Sequence, residues 1–163
     1  MDGLEGAPFG VRIAGNNFVR LQFMDKLPKD IACIEGAIAG GEPVGFWTEE
    51  KRKKRAVMIR SLFNHWRLTP EDRAKLLGLK EEEYHQDEPL PDRPEILTRS
   101  SYLLGMHGCL RILYPSMTNR NLVYAWVSTP NTQFGTTPLT VMKENGVNGL
   151  VEIFGYLWGY LQL

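Results

Sequence analysis

Apolar side chains recur at helical spacing near the middle of the chain. The first such stripe consists of Ile59, Leu62, Phe63 and Trp66, which follow the spacing i, i+3, i+4, i+7. Residues at this spacing lie on one face of a helix. The pattern therefore predicts a helix over residues 49–66, with this face turned toward the core.

A short capped helix is predicted directly after the first one. Thr69 can accept a hydrogen bond from a free backbone N–H, Pro70 suits the first helical position, and Gly78 can adopt the positive φ common after a helix end. A helix, a tight turn and a second short helix form the opening of a helix-turn-helix. The third, recognition helix of such a unit would fall on residues 79–88.

The next pattern is a long apolar helix. It follows three prolines, Pro89, Pro91 and Pro94, which prevent the recognition segment from running on as one continuous helix. From Glu95 onward apolar residues recur around more than one face, and they stop at Pro115. A helix that is apolar on several sides is expected at the centre of the fold.

Four segments complete the C-terminal part. The sequence predicts a helix over residues 119–127. Residues 128–136 are predicted to form a loop, because they are rich in Ser, Thr, Pro, Asn and Gly. Pro138 starts a short helix that closes at Gly146. An apolar stripe over residues 150–161 then predicts a last helix.

The N-terminal residues 1–48 are rich in glycine, which opposes long regular elements. Two short patterns interrupt them: an apolar–polar alternation over 19–23, as in a strand, and apolar residues at helical spacing over 30–38. We expect an irregular extension that packs on the rest of the chain or on a partner. The whole sequence thus predicts an all-α protein with this extension, a helix-turn-helix domain over 49–115 and a small helical domain over 116–163.

Composition and charge narrow the functional classes. The 163 residues carry 19 basic and 19 acidic side chains, so the molecule has no long-range field that would steer it to nucleic acid. The longest apolar stretch, residues 31–39, is much shorter than the roughly 20 residues that span a bilayer. The N-terminus, with Asp2 and Glu5, lacks the basic start of a secretory signal, and Cys33 and Cys109 have no CxxC spacing. We expect a cytoplasmic protein with reduced thiols and no membrane association.

Catalytic residues do not form a recognisable set. His65, His85 and His107 stand singly, and no glycine-rich phosphate loop is present in the sequence. The neighbouring carboxylates of residues 81–83 would fan outward from a helix rather than converge. We therefore expect a binding protein with no metal and no cofactor, not an enzyme.

Two groups of residues are candidates for contact with DNA. They are the basic run Lys51, Arg52, Lys53, Lys54 and Arg55, and the polar residues Lys80, His85 and Gln86 of the third segment. Each phosphate charge that such residues neutralise releases a counterion and strengthens binding at low salt. The alternative for the basic run is a solvated start of a helix. The acidic residues 81–83 argue against DNA, because phosphates would repel them.

The C-terminal third carries the most specific motif of the chain. Its members are Trp126, Pro130, Asn131, Phe134, Gly135, Pro138, Leu139, Met142, Gly146 and Leu150. This order of an aromatic helix end, a Pro-Asn turn, a glycine and a Thr-Pro helix start resembles the toxin-binding domain of Xre/MbcA/ParS-type antitoxins. Residues 62–78 resemble the Xre-type helix-turn-helix of that family, and residues 103–115 resemble its linking helix. The resemblance covers most of residues 55–161.

The resemblance implies a type II antitoxin that neutralises a RES-domain toxin, a toxin that consumes NAD or transfers ADP-ribose from it. In this family the C-terminal domain typically covers the toxin's active-site cleft. The helix-turn-helix typically lets the complex repress its own operon, and such proteins usually form dimers that match two DNA half-sites. The acidic third segment and the glycine-rich extension depart from the family pattern. A DNA-binding transcriptional regulator without a toxin partner is therefore the alternative function.

The resemblance also implies a set of toxin-binding residues. The residues carried over from the motif are Trp126, Asn131, Phe134, Gly135 and Pro138. Less patterned neighbours that we expect to contact the toxin are Gln133, Lys143, Tyr156, Tyr160 and Gln162. Aromatic side chains on a terminal helix suit a binding surface, because they bury much area and still form hydrogen bonds. Trp126 and Phe134 have the alternative of serving only as core residues.

Overall fold

The structure of the chain is a computed structural model, and it describes residues 47–114 and 120–161. The described residues are mostly helical and contain no strand beyond a single bridge between Asn131 and Thr136, so the predicted all-α class is confirmed. The helices are α1 (Glu49–His65), α2 (Pro70–Leu77), α3 (Pro94–Leu113), α4 (Arg120–Ala125) and α5 (Pro138–Leu161). The patterns expected over 19–23 and 30–38 lie outside the described residues.

Helix α1 confirms the first predicted helix to within one residue. The side chain of Thr48 accepts a hydrogen bond from the backbone N–H of Lys51 at 3.3 Å and so caps the N-terminal end. The predicted apolar face is buried, with Ile59 and Phe63 at most 1% exposed. This face packs on α3.

Helix α2 confirms the second predicted helix and its caps. The Thr69 hydroxyl accepts from the N–H of Asp72 at 3.2 Å. At the other end Gly78 adopts φ of +73°, and the N–H of Leu79 donates to the carbonyl of Ala74 at 2.9 Å. This is the hydrogen-bond pattern of a helix closed by a left-handed glycine.

The third helix predicted over 79–88 is wrong, because that segment forms only one 3₁₀ turn, Glu81–Glu83. The carboxylate of Glu83 accepts a hydrogen bond from the N–H of Lys80 at 2.9 Å and closes the turn on itself. The turn buries no side chain, so no packed face stabilises a longer helix there. The rest of the segment is a loop beside α1, where the carboxylate of Asp87 lies 2.7 Å from the guanidinium of Arg60.

Helix α5 is two helices separated at Gly146, as the sequence predicts. Gly146 has φ of +58° and ψ of −132°, which only glycine adopts without strain. The chain turns so sharply there that the two halves pack tightly at Gly149. A Cβ atom on Gly149 would overlap the backbone carbonyl oxygen of Val141. Both glycines are therefore required by the geometry of the bend.

The hydrophobic core is continuous across the predicted boundary near residue 115. Helix α3 makes its most extensive contact with α5, and the buried side chains of α1, α2, α3 and α5 belong to one cluster. Gly105 of α3 leaves room for the ring of Phe154, which meets Tyr102 edge-on at 5.6 Å between ring centroids. The C-terminal helices therefore rest on the same core as the helix-turn-helix pattern.

Candidate functional site

The residues of the C-terminal motif form a tight turn between α4 and α5. The N–H of Asn131 donates to the carbonyl of Thr136 at 3.0 Å, and the Asn131 side chain accepts from the N–H of Gln133 at 2.9 Å. Gly135 adopts φ of +67°, and its N–H donates to the carbonyl of Asn131 at 3.0 Å. Asn131 and Gly135 thus shape the turn, while the exposed side chain of Gln133 is left on its surface.

The Thr-Pro pair after the turn starts α5. The hydroxyl of Thr137 accepts a hydrogen bond from the N–H of Thr140 at 3.1 Å. Pro138 occupies the first helical position, where a missing N–H costs nothing, and it is buried. Pro138 therefore belongs to the motif because it starts α5.

Four aromatic side chains lie together beside the turn, and we call them the aromatic cluster: Trp126, Phe134, Tyr156 and Tyr160. The ring of Tyr156 stacks on Trp126 at 6.2 Å and meets Phe134 edge-on at 4.9 Å between centroids. Tyr160 meets Tyr156 edge-on at 5.0 Å, and the two hydroxyls are 3.2 Å apart. Trp126 is 8% exposed, whereas the other three are only partly buried. The cluster therefore has a core side and a solvent side.

The hydroxyls of Tyr160 and Tyr114 stay neutral at physiological pH. Burial, the hydrogen bond to Tyr156 and the nearby Tyr114 raise the pKa of Tyr160 to about 12. Burial and the neighbouring Tyr156 also raise the pKa of Tyr114 above its ordinary value. Tyr114 ends α3 and lies close to the cluster, although no spacing in the sequence links it to residues 156 and 160. The surface thus offers the uncharged hydroxyl of Tyr160 beside apolar rings.

Lys143 already has a partner within the chain. Its ammonium lies 2.6 Å from a carboxylate oxygen of Asp72 on α2, and both side chains are largely buried. The ion pair joins the first half of α5 to the helix-turn-helix pattern. Gln162, the remaining residue predicted to contact the toxin, lies outside the described residues.

The structure divides the basic run at the start of α1 into two groups. Lys51, Lys53 and Lys54 are exposed. Arg52 donates to the carbonyl of Leu90 at 2.7 Å, and Arg55 donates to the hydroxyls of Ser100 and Ser101. The two arginines therefore tie α1 to neighbouring segments, while the lysines face solvent. Three candidates from the third segment, Lys80, His85 and Gln86, are exposed on the loop beside α1.

Within residues 47–114 and 120–161, no group of three or more His, Cys, Asp or Glu side chains could hold a metal ion. Over the same residues no helix is both long and apolar enough to cross a membrane. No protein-family model matches the chain, and no curated protein matches it.

Proposed function

We propose that this chain is the antitoxin of a type II toxin–antitoxin system, which binds a RES-domain toxin and occludes its NAD site. It acts in the cytoplasm by binding rather than by catalysis. The observation that carries this proposal is the aromatic cluster beside the 131–136 turn, within the part of the chain that resembles the toxin-binding domain. Phe134, Tyr156 and Tyr160 are the members that contact the toxin.

The chemistry of the cluster suits the filling of a cleft in another protein. Tyrosine and phenylalanine rings bury much area for little loss of side-chain freedom, and tyrosine hydroxyls find hydrogen bonds at the rim. The hydroxyl of Tyr160 is uncharged at pH 7, and burial raises its pKa further, to about 12. Uncharged groups lose less hydration free energy than ions on entering a cleft. The cluster can therefore enter a site that normally holds the flat rings of a dinucleotide.

NAD consumption by a purified RES-domain toxin tests the proposal. Added full-length chain is expected to inhibit the reaction at near-equal molar ratio. Because the chain and NAD compete for one site, the chain concentration that gives half-inhibition should rise as the NAD concentration rises. If the toxin consumes NAD equally fast with and without the chain, the chain does not inhibit it. If the half-inhibitory concentration of the chain does not depend on the NAD concentration, the chain does not occlude the NAD site.

A DNA-binding regulator without a toxin is the second candidate, and the outward lysines of α1 favour it. Replacing Lys51, Lys53 and Lys54 by glutamine should weaken retention of a DNA duplex. The plot of the logarithm of the DNA-binding constant against the logarithm of the salt concentration should become less steep. Its slope should decrease in magnitude by up to about 2.7, which is about 0.9 for each phosphate that a lysine no longer neutralises. Lys75→Gln on α2 is the matched exposed control. If the triple variant and the control weaken DNA binding equally, the three lysines of α1 do not form the DNA-binding surface.

The dimer expected for such regulators is tested by light scattering. Two copies would present the α1–α2 pair twice, once to each half-site, which a single copy cannot do. We propose that the chain forms a homodimer or a hetero-oligomer with its toxin. A free chain that stays at 18.6 kDa over a wide concentration range would contradict the homodimer.

A further inference from the structure

The C-terminal part of the chain carries very few charged side chains. Residues 121–142 contain no lysine, arginine, histidine, aspartate or glutamate, although 23% of the whole chain is charged. From residue 143 to residue 163 the charged side chains are Lys143, Glu144 and Glu152. The aromatic cluster and the 131–136 turn therefore belong to a segment that is itself almost uncharged.

Two of these three charges lie on the first half of α5, before the break at Gly146. Lys143 is already paired, since its ammonium lies 2.6 Å from a carboxylate oxygen of Asp72. After Lys143 the sequence contains no further basic residue. Glu152 is exposed and lies one turn before Tyr156, so it is the carboxylate that the second half of α5 brings near the cluster.

The turn beside the cluster presents neutral polar groups. Gln133 is exposed on it, and the side chains of Thr129 and Thr132 are exposed nearby. On α5 the hydroxyls of Tyr156 and Tyr160 are 3.2 Å apart. An ion of a partner that became buried against such groups would lose water without gaining an opposite charge, which is costly. The surface therefore fits a cleft whose contacting walls are uncharged.

A dinucleotide site combines two kinds of chemistry. The flat rings are held by apolar contacts and a few hydrogen bonds. The pyrophosphate is held by basic side chains or by the N–H groups of a helix N-terminus. We propose that the aromatic cluster and the 131–136 turn enter the uncharged, ring-binding part of the toxin's NAD site and do not enter the part that binds pyrophosphate. This inference rests on the antitoxin proposal and adds which part of the site is filled.

Charges placed on the two sides of the cluster test the inference. Gln133 directly precedes Phe134, and Gly159 follows Tyr156 by three residues on α5. A Cβ atom on Gly159 would meet nothing within 4 Å, so a side chain is tolerated there. The variants are Gln133→Glu, Gln133→Lys, Gly159→Glu and Gly159→Lys, and Gly159→Gln is the neutral control of similar size.

The measured quantity is the chain concentration that half-inhibits NAD consumption by the purified RES-domain toxin. We expect either sign of charge to weaken inhibition about tenfold relative to the neutral side chain at the same position. The reason is that an uncharged cleft offers neither sign a partner. Thermal unfolding of each variant shows that it is folded under the conditions of the assay.

Two further variants control for remote charge and for the nearby carboxylate. Lys75→Glu, on the exposed surface of α2, gives the effect of a changed net charge alone, and this effect should be small. Glu152→Gln should change the half-inhibitory concentration by less than about twofold, because an exposed carboxylate without a close cation contributes little.

The sign of the response decides which part of the site is filled. If glutamate strengthens inhibition while lysine weakens it, the contacted wall is cationic and the proposal is wrong. A loss of about tenfold or more in Glu152→Gln would lead to the same conclusion, because that carboxylate would then replace a phosphate group. If neither charge at Gln133 or Gly159 acts more strongly than Lys75→Glu, the cluster does not enter the cleft. An unmodified chain that does not inhibit the toxin would instead contradict the antitoxin proposal itself.

Discussion

The ammonium of Lys143 lies 2.6 Å from a carboxylate oxygen of Asp72, and this ion pair connects α5 with α2. The two side chains are 30% and 20% exposed, so water screens the pair less than it screens an ordinary surface contact. Because Lys143 precedes the break at Gly146, the pair fixes the first half of α5 on α2.

A double-mutant cycle with Asp72→Asn and Lys143→Met should show a coupling free energy of about 1 kcal/mol in urea unfolding. The matched control is the pair between Glu50 and Lys54, whose side chains are 77% and 75% exposed. Its coupling should be much smaller and close to zero, as is usual for an exposed pair on one helix. Equal coupling in the two cycles would show that the Asp72–Lys143 contact does not hold α5 in place.

Gly149 and Gly159, both in the second half of α5, should respond differently to alanine. In Gly149→Ala the new Cβ meets backbone atoms of Val141 and Met142, which cannot move aside cheaply, so the variant should lose about 2–4 kcal/mol of unfolding free energy. In Gly159→Ala the Cβ meets nothing within 4 Å, and helix propensity should leave stability unchanged or raise it by up to about 1 kcal/mol. Thermal unfolding of both variants measures the difference. A tolerated Gly149→Ala would contradict the tight bend at Gly146.

Local signals in the sequence were enough to predict most helix ends. Thr69, Pro70 and Gly78 each act through hydrogen bonds or backbone angles within a few residues, and the structure has them in those roles. The break at Gly146 was predictable for the same reason. The third helix failed because residues 81–83 bury no side chain, and without a packed face the segment stops after one 3₁₀ turn despite the cap at Lys80.

The candidate site was less predictable, because its parts come from distant places in the sequence. The motif pointed to Asn131, which lies in the turn beside the cluster, but the turn uses the Asn131 side chain for its own hydrogen bond. The contact of Lys143 with Asp72 follows from the packing of α2 on α5, and the approach of Tyr114 to Tyr156 follows from the packing of α3 on α5. Contacts of this kind leave no period or spacing in a single sequence.

Stability should fall on mild acidification because of His107. Its ring stacks on Tyr124 at 5.6 Å, and Tyr124 stacks on His65 at 4.3 Å. Burial, then the charge of Arg111, then His65 hold the pKa of His107 below its ordinary value of 6.5. The unfolded chain then binds more protons than the folded one, so stability is complete above about pH 6.5 and decreases as the pH falls through the folded pKa.

The variant His107→Phe keeps a ring in the stack and cannot titrate. Its unfolding free energy should therefore change less than that of the unmodified chain between about pH 7.5 and about pH 5. Urea midpoints at several pH values give the comparison. If the unfolding free energies of the variant and of the unmodified chain fall equally between these pH values, another group causes the acid sensitivity.

Trp126 and Tyr160 lie on the core side and the solvent side of the aromatic cluster, and their alanine variants should separate folding from binding. Trp126 is 8% exposed, so Trp126→Ala should cost about 3–5 kcal/mol of stability and unfold part of the population. Tyr160 is only partly buried, and Tyr160→Ala should cost about 1 kcal/mol, the size of an aromatic pair, while helicity is kept. If the cluster fills a toxin cleft, Tyr160→Ala should nevertheless weaken inhibition of the toxin by about tenfold or more, and Tyr160→Phe should weaken it less. A folded Tyr160→Ala chain that inhibits as well as the unmodified chain would place the toxin contact elsewhere.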